Sequence, residues 1–137
     1  MGIDARIEME LETCVAELLD PHNRVNWLLR IAILDSTRCL QFIDPYGDTV
    51  FNRVQIPVLQ SEFSALASRL TEPNLQESKR LYLERAVDWP KVALEEARKA
   101  METLSLGELR HHLEALLRLL SNAATKEPHH YVRFVGD

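Results

Sequence analysis

Ile3, Ala5, Ile7, Met9 and Leu11 alternate with Asp4, Arg6, Glu8, Glu10 and Glu12, the period-two pattern of a strand with one buried and one wet face. Thr13 to Leu19 then reads either as a returning strand or as the start of a helix. Pro21 and Asn23 break the chain before a short helical stretch through Trp27 and Leu28. Cys39 to Ile43 is apolar and β-prone. Asp44-Pro45-Tyr46-Gly47 has Asp, Pro and Gly at the first, second and fourth places of a type I turn, and Thr49 to Val54 reads as the return. The segment predicts a central hairpin with a left-handed Gly47.

Beyond it the period changes. Ile56 precedes Pro57 and is steered away from helical dihedrals, whereas Pro57 suits a first helical turn, so a helix is expected to open there. Its stripe is Ile56, Leu59, Phe63, Leu66 and Leu70. Asn74 with Glu77 resembles a capping pair for the next helix, which Asp88-Trp89-Pro90 interrupts. Leu94, Ala97, Met101 and Leu104 carry the helix that resumes, and Ser105 with Glu108 forms a capping box for the last one. In that helix Leu106, Leu109, Leu113, Leu116 and Leu120 make the stripe, while Leu117 and Leu119 widen it and mark a candidate interface. Pro128 closes the helix, and Tyr131 to Val135 alternates as a final strand.

These elements predict one α+β domain over residues 1–137. A small, mainly antiparallel sheet of the N-terminal strand, the central hairpin and the C-terminal strand packs against several helices, including a long helical hairpin. Hydrophobic residues at 46% and charged residues at 27% fit an ordered globular chain with its own core. The start lacks a basic stretch followed by an apolar run, and no apolar run approaches the roughly 20 residues of a membrane helix, so a cytoplasmic protein without a membrane partner is expected. A net charge of −5 without a Lys/Arg cluster argues against nucleic acid. Cys14 and Cys39 are too few for a disulfide framework and read as reduced, partly buried thiols.

With four glycines in all, neither a P-loop nor a dinucleotide loop can be written, and no cofactor is expected. The strongest candidate constellation joins Asp44 and Asp48 to His129, His130 and Asp137, supposing that the hairpin and the last strand are neighbours. Carboxylates and imidazoles together suit a divalent metal or acid/base work. The competing reading has Asp44 bonding its own turn and the histidines in a polar loop. That reading leaves Tyr46 over, because an aromatic at a turn tip either folds onto a neighbouring strand or is offered to a partner. Glu108, His111 and His112 share a Glu-x-x-His spacing and read as a solvated helix face; Trp27 and Trp89 read as core anchors.

Phe42-Ile43-Asp44-Pro45-Tyr46-Gly47-Asp48-Thr49-Val50-Phe51-Asn52 and the closing His130-Tyr131-Val132-Arg133-Phe134-Val135-Gly136-Asp137 resemble the two signature stretches of a group of small uncharacterised bacterial proteins. That resemblance implies no activity, ligand or catalytic residue. In type and size the chain is similar to toxin-neutralising immunity proteins and mobile-cassette cargo. The leading expectation is therefore a non-enzymatic protein-interaction module with a protein partner or a homodimer, its surface at Tyr46 or the wide leucine face. A small metal-dependent or acid/base enzyme using Asp44 and Asp48 is the second reading. A small-ligand-binding protein is the third.

Overall fold

The computed structural model describes residues 2–9, 13–127 and 129–137. Strands β1 (Ile3–Met9) and β2 (Thr13–Leu18) open the chain, followed by α1 (Arg24–Ile31) and β3 (Asp48–Phe51). Then come α2 (Ile56–Leu66), α3 (Glu72–Arg85), α4 (Lys91–Thr103), α5 (Leu106–Ala124) and β4 (Tyr131–Gly136). The strands form one sheet in the order β2-β1-β4-β3, and every neighbouring pair is antiparallel. The fold is α+β, with β1 and β4 at its centre. Leu11, expected in the first strand, and Pro128, expected to close the last helix, lie outside the described residues.

Alternation along the strands sets the two faces. Ile3, Ala5 and Ile7 of β1, Val132 and Phe134 of β4 and Phe51 of β3 are buried on the inner face, against α1, α2 and α5. Phe134 links the layers, meeting Phe51 edge-on at 5.9 Å and Phe63 of α2 at 6.2 Å, contacts that add to the apolar burial. The outer face carries charge: Arg133 Nε donates to Glu8 at 2.7 Å and its Nη1 to Asp48 at 3.1 Å, while Arg6 pairs with Glu17 at 3.4 Å. Helix α3 packs on α1, and α4 packs on α3.

Several expectations are corrected by backbone accounting. Cys39 to Ile43 is no strand; Leu40–Phe42 is a 3-10 turn. The Glu62 carboxylate accepts the N–H groups of Arg38 and Cys39 at 2.6 and 2.8 Å and of Leu40 at 3.3 Å, and Thr37 Oγ1 accepts that of Gln41 at 3.0 Å. Those donors are what a ladder would have needed. There is accordingly no central hairpin, and β3 pairs with β4. It stops at Phe51 because Asn52 Oδ1 accepts the N–H groups of Val54 and Gln55, turning the chain into α2. The cap of α3 is Thr71, whose hydroxyl accepts Asn74 N–H at 3.4 Å, while the Asn74 amide donates to Arg69 O. Ser105 caps α5 as expected, accepting Glu108 N–H at 3.2 Å.

The wide leucine face of α5 is taken up inside the chain: Leu119 is buried, and Leu117 is half-buried against the same core. His112 is also interior, 5% exposed, which corrects the expectation of a solvated face at that position; Glu108 and His111 are exposed. Cys39 is buried and Cys14 exposed. Trp27 is a core residue, whereas Trp89 stays 42% exposed and leans its edge on Tyr82 at 5.6 Å. No helix among the described residues is long and apolar enough to cross a membrane.

Candidate functional site

The turn from Asp44 to Gly47 is held by its own polar groups. Asp44 Oδ1 accepts the Tyr46 N–H at 2.8 Å, an Asx turn that fixes the approach to the tip. Thr49 Oγ1 accepts the Asp44 N–H at 3.0 Å and donates to Phe42 O at 3.3 Å, bracing the turn from the strand side. The Gly136 N–H donates to Gly47 O at 2.9 Å, so the end of β4 clamps the turn from the other side. A Cβ on Gly136 would stand 2.5 Å from the Pro45 carbonyl, so only glycine allows this approach. Gly47 does not adopt the expected left-handed conformation; a Cβ there would meet the Asp44 carboxylate at 2.8 Å.

The five residues of the acid and imidazole constellation are dispersed. Asp44 serves its turn, and Asp48 forms an ion pair with Arg133 on the outer face. Asp137 Oδ1 accepts the Gly2 N–H at 2.8 Å, beside the turn. His130 lies at the opposite end of β4, its Nδ1 bonded to Glu127 O at 3.0 Å, and His129 precedes it. Six strand residues separate His130 from Asp137, a span of roughly 20 Å at about 3.3 Å per residue. The supposition that turn and last strand are neighbours holds, but the strand carries the histidines away from the acids. Among the described residues, no group of three or more His, Cys, Asp or Glu side chains is placed to hold a metal ion.

Tyr46 remains, and it is 79% exposed. Next to it Pro45 and Ile43 line a cleft of about 460 Å³, whose other walls include Leu81, Arg30 and Arg85. Both arginines belong to the last turns of their helices, α1 and α3, where the negative end of the helix dipole favours a cation. The Arg30 guanidinium lies over the Tyr82 ring at 4.8 Å and the Trp27 ring at 5.6 Å. Loss of water around it holds its pKa below the ordinary value; Tyr82 opposes that shift, Arg85 adds to it by repulsion, and Tyr46 opposes it again. Arg30 nevertheless remains a cation.

Arg30, Arg85 and Tyr82 were not legible as a group, because each satisfies an ordinary helical role and only the packing of α3 on α1 brings them together. An arginine in a helix's last turn is too common a feature to single out. Comparison of the chain with protein-family models, with curated proteins and with solved structures found no match.

Proposed function

We propose that this protein is a non-enzymatic protein-interaction module whose contact surface is the Tyr46 turn together with the adjoining cleft. The observation that carries the reading is the exposure of Tyr46 at the tip of a turn whose backbone is fixed on three sides. A large ring with few rotatable bonds on a fixed backbone loses little entropy on contact, which is what an interface anchor needs. The acids of the same segment are spent on the turn and on the outer sheet face, so they favour a platform over a catalytic pair.

The test replaces Tyr46 with the photo-crosslinking analogue p-benzoylphenylalanine in the cell of origin, with Glu95 on the exposed face of α4 as the control position. A discrete adduct from position 46 and none from position 95 is the expected result. Adducts of equal yield from both positions, or none from either, reject the reading.

A further inference from the structure

Arg30 and Arg85 meet at the same cleft wall, and among the described residues neither has an ion-pair or hydrogen-bond partner. Four other arginines are paired with acids: Arg80 with Glu77 and Glu84, Arg133 with Glu8 and Asp48, Arg24 with Glu108 and Arg6 with Glu17. In a chain of net charge −5, acids are in excess, so two neighbouring guanidiniums without one are a local inversion of the overall balance. The cleft does contain one acid, Asp35, but no bond joins it to either arginine.

The Arg30 guanidinium lies over the Tyr82 and Trp27 rings, and no hydrogen bond among the described residues occupies its N–H edge. That edge is the fork that matches a carboxylate bidentately, and stacking has already restricted the side chain that carries it. Asn26 and Ser78 line the same cleft and add neutral polar groups, while Leu81 and Ile43 supply apolar wall.

We propose that this cleft is the carboxylate-recognition site of the interaction surface, and that it takes an acidic segment of the partner beside Tyr46. This rests on the reading of the Tyr46 turn as a contact surface and gives the partner its chemistry. Charge complementarity selects the occupant: a second copy docking through the same patch would set the arginine pairs against each other across a two-fold axis.

The full chain is titrated with a blocked hexaglutamate peptide while the side-chain Nε–Hε resonances of Arg30 and Arg85 are followed. Saturable shifts of both resonances are expected, absent with blocked hexaglutamine and weakened by added salt. The Arg30→Gln/Arg85→Gln double variant should bind about tenfold more weakly, the combined loss of both guanidiniums. Because Arg30 also packs on two rings, Arg85→Gln alone serves as the second variant, with an expected loss of about threefold. Equal response to hexaglutamine, or unchanged affinity in both variants, overturns the proposal. Inorganic phosphate binding more tightly than hexaglutamate overturns it too, in favour of a phosphoryl site. If hexaglutamate fails while the adduct at position 46 persists, the charge assignment falls and the contact surface stands; loss of both removes both.

Discussion

Asp20 is 1% exposed, and its carboxylate accepts the N–H groups of Ile3 at 3.1 Å, Arg24 at 2.7 Å and Val25 at 3.0 Å. One side chain thus ties the start of β1 to the first turn of α1. Asp20→Ala would leave those donors buried without an acceptor, and a loss of about 3 kcal/mol in urea unfolding is expected. His112 on α5 faces Asp20, Arg24 and His111, and its Nε2 has no partner. Burial lowers its pKa; Asp20 works against this, and Arg24 and His111 add to it. The unfolded chain therefore takes up the proton that the folded chain refuses, so stability falls as pH drops from the ordinary histidine value near 6.5 towards the lower folded value. Unfolding free energy measured across that window should decline for the native chain and decline less for His112→Gln. An equal slope in both would contradict the assignment.

At the scale of elements, the approach to the 3-10 turn at Leu40–Phe42 is held by Glu62 of α2, which accepts three successive N–H groups. Glu62→Ala should cost about 2 kcal/mol and speed amide exchange at Arg38, Cys39 and Leu40, while β3 keeps its protection through β4. This element was misread from sequence because Cys39 to Ile43 has strand composition, and the long-range carboxylate that consumes its donors sits more than a helical turn into another element. The sheet itself was legible where alternation holds, in Ile3 to Ile7 and in Tyr131 to Val135; past Ile7 the register with β2 shifts, and the expected faces reverse, with Glu8 buried and Met9 exposed. The apolar stripe from Ile56 to Leu70 was legible for the same reason, and all five of its residues are buried. Gly136 had no signal at all. Its role lies in the contact of β4 with the Pro45 carbonyl, and Gly136→Ala should lower stability by about 2 kcal/mol, read as a lower thermal midpoint.

Across the whole molecule, charge is distributed by surface. The outer sheet face is a lattice of paired ions around Arg133, whose partner Glu8 is 3% exposed. The cleft beside Tyr46 instead holds two arginines at helix ends, neither ion-paired among the described residues, with Arg30 over two aromatic rings. The candidate site was legible in part: the turn and the exposure question at Tyr46 could be posed from sequence, whereas the arginines could not. The acid and imidazole grouping failed because the two ends of a strand stay separated by its length even when the strand borders the turn.

One turn holds residues that build it, Asp44 among them, and one residue that projects from it, Tyr46. Urea unfolding of Asp44→Ala and Tyr46→Ala, compared with the native chain, measures that division directly. Asp44→Ala should lose about 1 kcal/mol with its Asx bond, and Tyr46→Ala should stay within about 0.5 kcal/mol of the native value. A Tyr46→Ala chain destabilised as much as Asp44→Ala would show that the ring serves the fold, and would contradict the contact surface drawn around it.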